Sequence, residues 1–316
     1  MSKRIIIIVV SLLLNQKMEA QSFLVLSNDD FGGKSSIYLD DKAYPFTRKD
    51  TELLRVHYNC FLALEDSVTT GPDVTMVTGG IATTVPVDKR IIDRRHIEGL
   101  FVLQVGDQMS KFQSLCRFKS DSVFRSGGSH FMAGAYFSEK ANPIFSQDCY
   151  YKDLKTSRLT FTGRLAADDF MYEDNLPAIR WEIKNEKKEI CGWDCRLAIG
   201  DFRGRTYYAW FAERLPSSAG PWKICGLPGV ILSVEDSEAK LKIEATVVKN
   251  GNGEILSTDY PYIKVSRAQY MKLLEQNQRD PGLFAYNHTS RSGWITILKE
   301  DRKVHPFPRF TIMERE

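Results

Sequence analysis

Histidine is scarce in this chain of 316 residues and net charge is almost absent: five histidines, 43 Lys and Arg, and 40 Asp and Glu. A nucleic-acid partner would show as a basic excess or stripe. Near-neutrality argues against that class, and it gives no case for an anionic membrane surface. His57, His96, His130, His288 and His305 are scattered without ligand spacing. There is no H-E-x-x-H pair and no G-x-S-x-G elbow. Phe31-Gly32-Gly33-Lys34-Ser35 looks like the tail of a phosphate loop, but Asn28 stands where that loop needs glycine. Adjacent acids such as Asp29-Asp30, Asp40-Asp41 and Asp168-Asp169 would point to opposite faces of a strand, a poor arrangement for a paired acid and base. No catalytic residue, metal or cofactor is assigned.

Long apolar runs are also missing, except at the start. Lys3 and Arg4 precede an apolar stretch from Ile5 to Leu14, broken only by Ser11 and followed by a polar segment ending at Ala20. This is the layout of a secretory signal peptide over residues 1–20; a membrane-spanning helix needs about 20 apolar residues. No cysteine follows to carry a lipid. Residues 21–316 are therefore expected to form a single exported domain, in the periplasm or cell envelope or secreted, with no transmembrane span. Loss of Lys3, Arg4, Lys17 and Glu19 leaves 40 basic and 39 acidic residues. Cys60, Cys116, Cys149, Cys191, Cys195 and Cys225 make an even count, so at least one disulfide is the default in an exported chain, with connectivity open. Cys191 and Cys195 have three residues between them, which is not the redox C-x-x-C pair, and no second close pair completes a zinc site.

What the chain does have is strand pattern. Candidate strands are Leu54–Leu64, Leu100–Val105, Arg158–Arg164, Ile179–Ile183, Tyr207–Ala212 and Val230–Val234. Leu241, Ile243, Ala245 and Val247 alternate with polar residues, and Asn250-Gly251 predicts a hairpin over 239–259. One helix is expected from Ser266, with a Ser266/Gln269 capping box and a stop at Asp280-Pro281-Gly282. Stretches 66–95 and 125–147 lack a sustained period and read as irregular insertions. Many short strands imply a mainly β fold: an antiparallel sheet curled into a half-barrel or open barrel, with one short helix near the C-terminus. In Tyr207-Tyr208-Ala209-Trp210-Phe211 both faces are apolar or aromatic, so this strand is either covered on both sides or lines a cavity with its second face.

The most specific segment is Gly220-Pro-Trp-Lys-Ile-Cys-Gly-Leu-Pro-Gly-Val-Ile-Leu232. It resembles the defining motif of the GLPGLI family of exported Bacteroidota proteins, with Gly226-Leu227-Pro228-Gly229-Val230-Ile231 as the signature and Val230 in place of the usual Leu. Leu103–Phe112, Trp181, Ile190–Cys195, Phe202–Arg205, Ala209–Phe211 and the stretch from His305-Pro306 to Ile312 are similar in order. Cys191 and Trp193 depart from the expected pattern. The resemblance implies an exported β protein whose activity is not established, and it supplies no catalytic residues. Physically, Pro228-Gly229 suits a type II turn. The loop is then either a fold-defining corner, with Trp222 and Leu227 plugging the core, or the rim of a cavity.

The first expectation is a non-catalytic binding or accessory protein. Tyr208, Trp210, Trp222 and Leu227 are its candidate ligand-binding residues, for an apolar small molecule, a lipid or another envelope protein. Gly226, Pro228 and Gly229 are structural. A structural or assembly factor of the envelope is the second expectation, and an exported hydrolase with a dispersed active site the third.

Overall fold

The computed structural model describes residues 45–63, 74–78, 81–85, 96–126, 148–165, 168–279 and 284. The signal-peptide segment, most of 125–147 and the C-terminal block near His305 lie outside these residues.

The chain is mainly β. Two antiparallel meanders supply most of the sheet. The first runs β5 (His96–Val105), β6 (Met109–Ser114), β7 (Cys149–Asp153), β8 (Arg158–Leu165) and β9 (Asp168–Asn175). The second runs β10 (Trp181–Ile190), β11 (Trp193–Phe202), β12 (Arg205–Ala212), β13 (Val230–Asp236) and β14 (Leu241–Asn250). β2 (Leu54–Ala63) pairs with β14 on one side and β5 on the other, so it fuses the meanders. With β16 (Ile263–Lys264) parallel to β9, the result is a twelve-stranded sheet with two open edges. Its curl follows from strand twist accumulated over many strands.

The core sits on the inner face. Val56, Tyr58, Leu103, Phe112, Phe161, Tyr207, Phe211, Val234 and Ile243 are all buried there. The expected helix is α2 (Arg267–Arg279), and its capping box forms as anticipated. The Gln269 backbone N–H donates to Ser266 Oγ at 3.2 Å, and the Ser266 N–H donates to Gln269 Oε1 at 2.7 Å. Tyr270 from this helix is buried against Phe161, Phe170 and Tyr172.

Three local expectations are corrected. Asn250-Gly251 bends the chain but makes no hairpin: β15 (Glu254–Thr258) pairs with β1 (Phe46–Thr51), not with β14. The β2–β14 ladder breaks at Glu52 and Gly251–Gly253 and resumes as β1–β15. Glu52, 1% exposed and paired with Arg55, fills the bend, where a Cβ on Gly251 would collide with it. Val247 is turned out, because a bulge between Ala245 and Val247 shifts the alternation by one residue. Finally, the 66–95 stretch contains a two-stranded ladder of β3 (Val74–Thr78) and β4 (Ile81–Val85). Its Thr and Val content favours strands.

Helix α1 (Leu115–Arg125) had no counterpart in the periodicity. Ser114 caps it, accepting from the Arg117 N–H at 3.1 Å. It docks by charge rather than by an apolar stripe. Asp121 pairs with the buried Lys111 ammonium at 3.2 Å, and the Arg55 guanidinium lies 4.7 Å from the Phe118 ring centroid.

Candidate functional site

The glycine-rich segment forms a tight corner between β12 and β13, tied by backbone bonds from Leu215 to Ala212, Gly226 to Ser218 and Ile231 to Ala219. Trp222 has φ of 49° and is 2% exposed; its ring packs 5.8 Å from Phe202 and 6.5 Å from Tyr207. Leu227 is 1% exposed. Both therefore plug the core.

The expected type II turn is not there: Gly229 is not among the residues with positive φ. Glycine is needed at 229 because a side chain would strike the Ala212 carbonyl, whereas Gly226 has φ of 96° with open space beside it.

Two other blocks of the resemblance reach this corner, through Phe202, whose ring packs on Trp222, and through Trp181. The Trp181 indole N–H donates to the Cys225 carbonyl at 3.0 Å, and Trp181 packs over Gly200, where a Cβ would collide. Arg203 and Gly204, both at positive φ, turn β11 into β12, and Arg205 makes a buried ion pair with Asp236. Asp50 clamps the β5–β6 turn, accepting from the Gln108 and Met109 N–H groups at 2.8 and 2.9 Å. Burial alone would raise the Asp50 pKa, but these donors, with the Thr51 N–H and Arg48, outweigh it and hold the carboxyl low.

Sequence reasoning missed the residue that grips the corner. Lys152 on β7 is 0% exposed and donates to the carbonyls of Gly220 and Trp222, the latter at 3.0 Å. Burial lowers its pKa to about 8, against a small upward pull from Cys225. The available signal was phase: in Cys149-Tyr150-Tyr151-Lys152, alternation puts Lys152 on the face of the core residue Tyr150.

A small cavity on the inner face is lined by Cys60, Leu62, Phe101, Phe112, Asp148, Tyr150, Trp222 and Ile243 and measures about 20 Å³. That is room for one water. The Tyr150 hydroxyl donates to Asp148 at 3.3 Å. Burial pushes Asp148 up to about 7, opposed by Arg117, the Tyr150 bond and Lys223.

Tyr208 and Trp210 lie on the opposite face of β12, since Tyr207, Ala209 and Phe211 turn into the core. The structure therefore joins Trp222 with Leu227 at the corner and separates both from the other pair. Tyr208 is 38% exposed; Trp210 is half-buried, with the Lys188 ammonium 5.9 Å from its ring centroid and 3.2 Å from Glu244. Beside them an open groove of about 260 Å³ is lined by Asn59, Phe61, Glu98, Glu235, Ala239, Lys242 and Glu244.

The expected disulfide is not formed: no two of the six cysteines lie at disulfide distance. Their strands hold them apart. Cys60 faces Ile243 and Gly99 across the ladders, Cys149 faces Gln113 and Thr162, and Cys195 faces Lys188. Cys191 occupies the β10–β11 turn at φ of 51° and Cys225 the corner. Burial pushes the thiols of Cys60 and Cys195 up to about 12 and about 11, which makes them unreactive. Among the described residues no helix is long and apolar enough to cross a membrane.

No family model matches the chain, and no curated protein matches it. Two solved structures of PNGF-II are similar to it. One, in space group P21, has a TM-score of 0.44 and 13% identity; the other, in C2, has 0.42 and 14%. Each aligns with 72% of this chain and 34% of its own, so the chain spans about a third of their length.

Proposed function

We propose that this is an exported cell-envelope protein of GLPGLI type that works as a non-catalytic binding or accessory protein, with another envelope protein as its partner. The reading rests on one contrast between the two faces of the sheet. The inner face is filled by Trp222 and Leu227, and the cavity beside Trp222 has room for a water but not for a lipid. The outer face presents Tyr208 with Trp210 beside an open groove of about 260 Å³. Aromatic side chains with one apolar body and a polar tip are favoured at protein interfaces.

A Tyr208→Glu/Trp210→Glu variant tests this. The mature wild-type protein is expected to retain a stoichiometric protein from envelope extracts that the variant, with an unchanged far-UV spectrum, does not. Equal capture by both forms would refute the outer-face reading. A lipid recovered at one equivalent from unfolded wild-type material would instead support an apolar-ligand carrier.

A further inference from the structure

We propose that Lys152 on the inner face of β7 and Asp148, the residue just before that strand, form a pH-responsive latch on the Gly220–Gly229 corner, which loosens near neutral pH. This inference is independent of the outer-face reading.

Both residues reach the same segment, Lys152 from β7 and Asp148 from the residue that leads into it. Lys152 holds the Gly220 and Trp222 carbonyls, and Asp148 lines the cavity that Trp222 closes. Among the described residues, the charged and titratable groups facing Asp148 are Arg117 from α1, Tyr150 from β7, Lys223 from the corner and Tyr270 from α2. Lys223 is itself 4% exposed, its ammonium 5.4 Å from the Tyr172 ring centroid and 5.9 Å from that of Trp222. Among the described residues, the titratable group facing Lys152 is the Cys225 thiol. Directly opposite Lys152 on β6, the buried Ser110 hydroxyl has no hydrogen-bond partner among the described residues. It offers the ammonium a second acceptor when the corner carbonyls move away, so Lys152 has two positions to choose between.

The two groups act in opposite directions along the pH axis. Asp148 has a folded pKa raised to about 7 from 3.8, so its contribution is full below the unfolded value and lost as pH rises through 7. Lys152 has a folded pKa lowered to about 8 from 10.5, so its contribution is full above the unfolded value and lost as pH falls through 8. Between these values both side chains are charged and desolvated at once, and the corner is held least firmly.

Hydrogen exchange of the mature protein, corrected for the intrinsic pH dependence of exchange, reads this directly. Protection of the amides of Gly226 and Ile231, which bond to Ser218 and Ala219, should pass through a minimum near pH 7–8. The minimum should lie at least about tenfold below the values near pH 5 and pH 10, a factor of ten being one unit of pKa difference. Amides of the β8–β9 hairpin should show no such minimum. Asp148→Asn should abolish the acid limb and leave the alkaline one; Lys152→Gln should do the reverse. If Lys152→Gln does not fold, the wild type and Asp148→Asn still decide. A flat corner profile, or an acid limb that survives in Asp148→Asn, would overturn the proposal.

Discussion

Single positions in this protein are constrained for different reasons that look alike in sequence. Gly226 and Gly229 both belong to the motif, yet one answers a backbone angle and the other a collision. A methyl group at 229 has to displace the Ala212 carbonyl, which is backbone and cannot swing away. We expect Gly229→Ala to cost about 3 kcal/mol, the upper range of overpacking. Gly226→Ala meets no atom closer than the Trp181 indole at 3.8 Å and pays only for its left-handed backbone, about 1–2 kcal/mol. Urea denaturation of the two variants should give that order. Asp50 illustrates a different constraint. Its pKa is depressed by backbone donors, so its contribution is present above the unfolded value of 3.8 and is lost as pH falls through the folded one. Asp50→Asn should therefore lower stability at neutral pH while narrowing the gap from wild type in strong acid, as followed by chemical denaturation at each pH.

At the level of elements, the two helices show when a sequence discloses its structure. The start of α2 was legible because its cap is a local code, satisfied by residues three apart. Ser266→Ala should cost about 1 kcal/mol in the same assay. Helix α1 carries only half of that code, a Ser114 cap with Arg117 where Glu or Gln would reach back, and its partners Lys111, Glu254 and Arg55 come from three different strands. Asp121→Asn removes the carboxylate from the buried Lys111 ammonium. An uncompensated buried charge makes a loss of about 2 kcal/mol the expected outcome in urea denaturation. The edge strand β10 carries Lys184, Lys187 and Lys188 with a break in register between Ile183 and Lys187. Charges and irregularity of this kind keep an open edge from pairing with another chain. Replacing Lys187 and Lys188 by valine should produce concentration-dependent oligomers in size-exclusion chromatography.

Across the whole molecule, cohesion comes from one continuous inner core and not from covalent staples. Thiol titration checks this. In denaturant without reductant all six cysteines should react, while in the native protein the exposed Cys191 should be modified first. Recovery of fewer than six thiols from freshly unfolded protein would show a bridge that the structure does not contain. The ordered blocks of the family resemblance also gain a meaning at this scale. Trp181 and Phe202 lie outside the motif in sequence but meet it at one corner, through the Cys225 carbonyl and the Trp222 ring. The segment that is most specific in sequence forms this corner, and the exposed Tyr208 and half-buried Trp210 lie on the other face of β12.

The sequence alone determined what depends on near neighbours: a mainly β fold, the α2 cap and the alternation of β12. Alternation is a property of consecutive residues, so it survives without knowledge of partners. Pairing is not. That Asn250-Gly251 bends a ladder rather than closing a hairpin is set by Glu52, nearly 200 residues upstream. That Gly229 serves close approach and not a left-handed angle is set by Ala212. Above all, a lysine on a strand reads as solvent-facing until the other side of the sheet is known. Only the tertiary structure buries Lys152 beneath the corner, because only there do two backbone carbonyls from β12–β13 meet a side chain from β7.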